Sequence, residues 1–461
     1  MPQHTRRDFL KKGTSAAVAA ATVPSLKVSG FHLSNDETIQ VALVGCGGRG
    51  GGAAVNAMRA KGGPLKLVAM ADVFEDRQAN CVKNLSDAVE ESKGAMLMDV
   101  PADRRFVGFD GYMKAMDCLR PGDIVILTTP PAFRWVHFQY AISKKLNVFM
   151  EKPVTVDGLS SRKMLELSRL ADTAGLKVGV GLMSRHQVPL QELYRKVKGG
   201  AIGDILLVRG YRMHGPAGYS HSVPKPTNLS EVEYQIRRFH SFLWASGGCF
   251  NDFYIHIIDH ANWFKGAVPV SAQGMGAKHY KSSPEGEPYV DQNFDNYAVE
   301  YTYPDGSKFY FEGRCIEGAN GVYSSYIHGS KGVAIASRAN DCGGPSAIYK
   351  GQNFDDSKLV WKSTDTTNPY QNEWDALVAA IRTNKPYNEV PRGVEASVSS
   401  NMGRMAAHTA QVVTYDQMMN CEHAFAPHVD KMTLDGPAPV MADEHGRYPV
   451  PQPGVLIDRE Y

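Results

Sequence analysis

The chain of 461 residues is 43% hydrophobic and 21% charged, with a formal net charge of +2 at pH 7. Those proportions exclude a disordered or fibrous protein, and so balanced a charge gives no footprint for nucleic acid or an anionic membrane surface. The length fits two or three domains, and the seven cysteines, scattered without a C-x-x-C pair, suggest neither a zinc site nor a disulfide framework.

In chain order, Thr5-Arg6-Arg7-Asp8-Phe9-Leu10-Lys11 has the form of a twin-arginine export signal and precedes a weakly apolar run from Ala16 to Leu26. That run is too short to span a bilayer as a mature helix. Residues 1–35 are therefore set aside as signal and linker, with the periplasm or another exported location expected.

Ile39 to Gly51 reads as a buried strand running into a glycine-rich turn, with Gly45, Gly47 and Gly50 in G-x-G-x-x-G register. Such a turn lets backbone approach a pyrophosphate and opens a helix whose unpaired N–H groups favour negative charge. Small residues from Ala53 to Ala60 suit a helix packed closely on a sheet. Leu65 to Ala71 is a second buried strand, and Asp72 at its tip lies about 20 residues past the glycines, where an acid accepts from a ribose 2′-hydroxyl and repels a 2′-phosphate. NAD is expected in preference to NADP.

The alternation continues through a helix from Arg77 to Glu91, a strand from Asp123 to Thr128, a helix from Phe138 to Lys145 and a strand from Asn147 to Met150 that meets Glu151-Lys152-Pro153. This is an α/β pattern with a doubly wound parallel sheet, in which ligands bind beyond the carboxyl ends of the strands. Gly45, Cys46, Gly47, Gly48, Arg49 and Gly50, with Asp72, Thr129, Pro130, His137, Glu151 and Lys152, are the expected cofactor-binding residues.

A helix from Leu159 to Thr173 and a strand from Val178 to Leu182 lead to Arg185. From Ile205 the pattern changes to longer, partly alternating strands, Ile205 to Met213, Asn296 to Thr302, Lys308 to Arg314 and Gly321 to His328, which suit a mostly antiparallel sheet with one face on helices. Helices are expected from Trp374 to Thr383 and from Val394 to Met418, and a Pro-rich tail from Pro427 to Pro453 is expected to wrap the surface or reach a neighbouring subunit. The expected divisions are 1–35, a dinucleotide-binding domain at 36–157, a second α/β domain at 158–425 and a tail at 426–461.

Two places carry chemistry. Lys152, at the ligand edge of the sheet, can hold a substrate hydroxyl and stabilise charge growing on its oxygen as hydride leaves carbon. Gly247-Gly248 reads as a flexible entry to an amphipathic helix on which Asp252 and His256, four residues apart, share a face, with Asp259 and His260 a turn further on. A carboxylate beside an imidazole suits a proton acceptor working near neutral pH. The His256/His260 spacing also suits a metal, but without a glutamate after His256 or a further ligand cluster no metal is expected. A helix with a capping aspartate and a core histidine is the structural alternative. Arg185, with Asp252 and His256, is assigned to the substrate. Tyr211 and His214 are further polar candidates, and all three of Arg185, Tyr211 and His214 have ordinary structural explanations as well.

The glycine fingerprint from Gly45 to Gly50, Thr129-Pro130 with His137, the Glu151-Lys152-Pro153 tripeptide, Gly181 to Arg185, and Gly247-Gly248 followed by Asp252 and His256 together resemble the Gfo/Idh/MocA oxidoreductase family, in order from Ile39 to Met418. Cys249-Phe250-Asn251 departs from the more usual apolar residues. The resemblance implies a Rossmann domain, a second α/β domain with a large open sheet often used for homo-oligomerisation as a dimer or tetramer, and action on sugars or polyols. It also implies that Lys152, Asp252 and His256 form the catalytic group, with His256 as base.

The expected activity is hydride transfer between a secondary hydroxyl of a sugar, polyol or glycoside and a tightly bound NAD. One alternative is an NAD-dependent glycosidase working by transient oxidation and elimination, a branch that resembles this chain but lacks the lysine found here as Lys152. Another is a non-catalytic sugar-binding protein that keeps the dinucleotide as a structural element.

Overall fold

The computed structural model describes residues 37–339 and 345–461. The export motif at Arg6-Arg7 lies outside the described residues. Seven strands form the first sheet: β1 (Ile39–Val44), β2 (Leu65–Asp72), β3 (Leu97–Met98), β4 (Arg105–Val107), β5 (Ile124–Leu127), β6 (Asn147–Met150) and β7 (Val178–Val180). The order is β3-β2-β1-β5-β6-β7, with β4 beside β2 and every pair parallel. β5 and β6 are buried at every position, as parallel strands covered on both faces must be. Alternate residues feed two cores: Val41, Leu43, Ile124 and Ile126 meet the helix Gly48–Met58, while Val44, Val125 and Leu127 meet the helices Arg134–Ser143 and Gly158–Thr173.

Two expectations shift here. The sheet continues to β7, so the expected boundary at 157 falls inside it. The helix expected from Trp374 spans Pro369–Thr383 and packs on this sheet, Trp374 stacking on Phe149 at 4.5 Å between ring centroids.

Nine strands form the second sheet: β8 (Ile205–His214), β9 (Ser271–Ala277), β10 (Asn296–Thr302), β11 (Lys308–Cys315), β12 (Val322–Gly329), β13 (Gly332–Ser337), β14 (Ala347–Lys350), β15 (Leu359–Lys362) and β16 (Val413–Thr414). The order is β15-β14-β13-β12-β8-β11-β10-β9-β16, antiparallel except for β8 beside β11. β10 and β11 alternate buried and more exposed residues, the signature of a sheet with one face on the core. The helix expected from Val394 to Met418 is two, Val390–Thr409 and Tyr415–Asn420, separated by Ala410 in the left-handed conformation at φ 56° and by β16.

Between the layers runs the helix Gly248–Lys265. The sequence suggests an amphipathic element, but this one is buried nearly all round, because the second sheet lies on one side and the helix Val390–Thr409 on another. Its polar side chains are answered internally: Asn251 Nδ2 donates to Thr155 O at 2.9 Å, and Asn262 Nδ2 to Ser399 Oγ at 2.9 Å.

The final segment wraps its own chain. Phe425, Val429, Val440 and Tyr448 join Phe242 and Trp244 in one cluster, and Glu460, 3% exposed, enters the interior. Arg404 donates from Nε and Nη2 to its two carboxylate oxygens at 2.8 and 2.9 Å. His408 donates from Nδ1 to Oε1 at 2.8 Å, and the Tyr297 hydroxyl occupies its Nε2 at 2.9 Å. Burial opposes ionisation of Glu460, yet Arg404 and His408 hold its pKa down to about 2. Replacing Glu460 with Gln leaves Arg404 buried without a counter-charge and is expected to remove about 3 kcal/mol at pH 7, read from urea midpoints. Because the folded-state pKa is depressed, the wild-type advantage is present above the ordinary value of 4.5 and vanishes as pH falls towards about 2. A difference that persisted unchanged through that window would sink the assignment.

Candidate active site

The strand order of the first sheet reverses between β1 and β5, and a crevice opens beyond the carboxyl ends of the strands at such a switch point. There the chain leaves β1 through Gly45, at φ 100°, and enters the helix Gly48–Met58. The turn is so tight that a Cβ on Gly50 would lie 2.1 Å from the Gly45 carbonyl oxygen and 2.7 Å from Thr128 Oγ1. Thr128 Oγ1 donates to that carbonyl at 2.7 Å, locking the end of β5 to the turn.

A cavity of about 490 Å³ extends from this turn towards the second sheet. It is lined by Gly45, Gly47, Gly48, Arg49, Gly50, Asp72, Thr129, Pro130, His137, Glu151 and Lys152 on one side and by Asp252 and His256 on the other. Close backbone at a helix N-terminus and a carboxylate at the tip of β2 fit a dinucleotide: the first suits the pyrophosphate, the second a ribose hydroxyl. Asp72 is held by the amides of Cys46 and Phe74 at 2.6 and 2.9 Å. Burial raises its pKa, against those two amides.

Two expected residues stand apart from the cavity lining. Cys46 turns its thiol inward, 3.4 Å from Ala71 O, and offers only its amide, which Asp72 already occupies. Arg185 is clasped by Asp259, Nε to Oδ2 at 2.9 Å and Nη2 to Oδ1 at 2.7 Å, and does not line the cavity. Tyr211 and His214 also lie outside the lining, His214 Nε2 being 3.6 Å from Cys315 Sγ. His256 and His260 have separate surroundings: His260 Nδ1 meets Ser325 Oγ at 2.9 Å.

The strand end of β6 carries Glu151 and Lys152 in opposite roles. Glu151 Oε1 pairs with Arg49 Nη2 at 2.5 Å, and Arg49 lies over the Tyr370 ring at 4.5 Å, tying the glycine turn to the helix Pro369–Thr383. Lys152 Nζ donates to the Asp252 backbone carbonyl at 2.8 Å and lies 3.6 Å from Asp252 Oδ1. Burial works against ionisation of Asp252, but Lys152 and then His240 hold its pKa well below the usual carboxylate range. Burial likewise pushes the His256 imidazole well below its ordinary value, and the nearby Lys152 adds to this. A fixed carboxylate, an ammonium with donors to spare and a neutral imidazole therefore share one pocket.

Beside them, His137 meets Thr129 Oγ1 at 3.2 Å, and burial with Arg134 nearby pushes its pKa down to about 3. Arg134, His240, Arg212, Tyr219, Phe253 and Tyr323 also line the cavity and carry no spacing signal in the sequence. Arg134 is the most buried of them and donates to Thr129 O at 2.8 Å, fixing the turn after β5.

A parallel sheet with a glycine turn at its switch point, facing the side chains of a helix that lies on a second, open sheet, is a two-part dinucleotide-binding architecture. Residues 39–182 match the description "Oxidoreductase family, NAD-binding Rossmann fold" and residues 190–335 the "GFO/IDH/MocA C-terminal domain". The chain belongs to the Gfo/Idh/MocA family, and NAD is its cofactor. Among similar proteins are a "Glycosyl hydrolase family 109 protein" of Solibacter usitatus, 24% identical over 253 residues (52% of this chain, 51% of that one), and an "Inositol 2-dehydrogenase" of Corynebacterium glutamicum, 29% identical over 125 residues (27% and 35%). This chain thus spans about half the length of the first relative and about a third of the second. The Lactobacillus casei scyllo-inositol dehydrogenase, solved with bound NAD(H) and scyllo-inositol, shares the fold at a TM-score of 0.59 and 20% identity, covering 82% of this chain and all of that one.

Gly50→Ala is expected to weaken NAD binding at least about tenfold in calorimetry, because its methyl group has no room against the Gly45 carbonyl. Wild-type affinity in that variant would place the nucleotide elsewhere.

Proposed function

We propose that this protein oxidises a secondary hydroxyl of a sugar, polyol or glycoside. The observation that carries the reading is the meeting of Lys152, from the first sheet, with Asp252 and His256, from the helix Gly248–Lys265, in the cavity that begins at the glycine turn. Bound NAD supplies the hydride acceptor. Lys152 directs its remaining donors at the substrate oxygen and balances the charge that builds there. His256, kept neutral by burial, takes the hydroxyl proton, and the ionised Asp252 steadies the resulting imidazolium.

A redox-neutral glycosidase is the second reading, favoured by the likeness to a protein named as a family 109 glycosyl hydrolase. One assay separates the two. A panel of inositols, hexoses and nitrophenyl glycosides is expected to give net NADH, whereas nitrophenol release without NADH would favour the glycosidase. Lys152→Ala and His256→Ala are each expected to abolish turnover, a loss of at least about 100-fold, with NAD still bound. Near-normal turnover in either would remove the acid/base assignment.

The reading includes export, motivated by the Arg6-Arg7 motif. Cell fractionation is expected to find the protein in the periplasm and, for an Arg6→Lys, Arg7→Lys variant, in the cytoplasm. Cytoplasmic wild-type protein would refute this.

A further inference from the structure

His240 lines the cavity, and its Nε2 lies 3.2 Å from Asp252 Oδ2. Its other nitrogen determines the tautomer. The Tyr219 amide N–H donates to Nδ1 at 3.3 Å, so Nδ1 is the acceptor, and in the neutral ring the proton sits on Nε2 and points at Asp252. The ring has little freedom to do otherwise. Phe239 and Phe253 flank it at centroid distances of 3.9 and 5.1 Å, and the backbone of Gly218, at φ 52°, presses so close that a Cβ there would lie 2.8 Å from both Cε1 and Nδ1.

The carboxylate of Asp252 is thereby divided. Oδ2 takes the His240 proton, while Oδ1 faces Lys152 at 3.6 Å, outside hydrogen-bond range. Lys152 spends one donor on the Asp252 carbonyl at 2.8 Å, which leaves two of its three for a ligand. If Asp252 lost the His240 contact, its carboxylate would be free to rotate onto the ammonium, and a closed Lys152–Asp252 ion pair would compete with the substrate oxygen.

We propose that His240 is a positioning residue for the hydroxyl oxidation: by donating Nε2–H to Asp252 Oδ2 it holds the carboxylate back from Lys152 and keeps the ammonium available to substrate. This rests on the acid/base roles proposed for Lys152, Asp252 and His256. His240→Gln can return a donor near the Nε2 position, whereas His240→Leu cannot.

The test uses the full-length, NAD-loaded protein in two arms. In the first, histidines are labelled with nitrogen-15 and the His240 signals are assigned by their loss in His240→Gln. The expected spectrum shows the Nε2–H tautomer, with its signal displaced in Asp252→Asn. An Nδ1–H tautomer, or a signal indifferent to Asp252→Asn, overturns the proposal. In the second arm, kcat with the best polyol of the panel is expected to fall about 10- to 100-fold in His240→Leu, the value of a hydrogen bond to a charged group. His240→Gln should recover most of that loss, with NAD affinity and melting temperature near wild type in both variants. Wild-type kcat in His240→Leu, or no recovery in a folded His240→Gln, overturns the proposal by itself. Wild-type kcat in Lys152→Ala instead overturns the acid/base reading, and the proposal with it.

Discussion

A helix buried on almost every side has to find an internal partner for each polar side chain it carries, and the helix Gly248–Lys265 imposes that constraint on the whole molecule. Asn251 reaches back to Thr155, just after the end of β6, Asp259 takes Arg185 from the loop after β7, His260 takes Ser325 of β12, and Asn262 takes Ser399 of the helix Val390–Thr409. These contacts join the parallel sheet, the antiparallel sheet and the helix behind them into one frame. Asp252 and His256 are the polar residues of that helix that line the cavity, and the burial that fixes the others bears on both of them.

Burial explains the electrostatics of the pocket as well. A buried carboxylate is raised and a buried imidazole lowered unless a charge intervenes. Lys152 intervenes for Asp252, which stays ionised, and deepens the effect on His256, which stays neutral. Lys152 at the end of β6 therefore acts on both partners, with His240 beside it holding Asp252 down and burial leading the effect on His256.

Much of this was legible in the sequence where local chemistry decides. The glycine spacing, the acid at Asp72, the run of buried strands and the Asp252/His256 interval each describe a feature within one element or between adjacent ones. Residues whose role comes from long-range partners were not legible. Arg185, beside a strand end, is open to a substrate or a structural role in the sequence, because Asp259, 74 residues later, gives no local sign of reaching it. Cys46 sits inside the fingerprint, but its thiol packs into the core beside Ala71 O. His240 has neither motif nor helical interval linking it to Asp252; its place is set by the Gly218-Tyr219 turn folded onto its ring. The Pro-rich segment suits wrapping the surface or reaching a neighbouring subunit, and the burial of Glu460 against Arg404, a charge in a helix rich in small residues, has no local sign in the sequence.

The guanidinium of Arg404 joins stretches that synthesis delivers far apart: besides Glu460 it donates to Gly247 O at 2.9 Å and to Val156 O at 3.2 Å, the latter 248 positions away in sequence. Contacts of such separation pay loop-closure entropy before they return any stabilisation, so they belong late in assembly. Gly247 is also the entry to the helix that presents Asp252 and His256. One buried guanidinium therefore ties the entry of that helix to the far end of the chain, and the entropy of closing those long loops is a cost that this part of the fold has to offset.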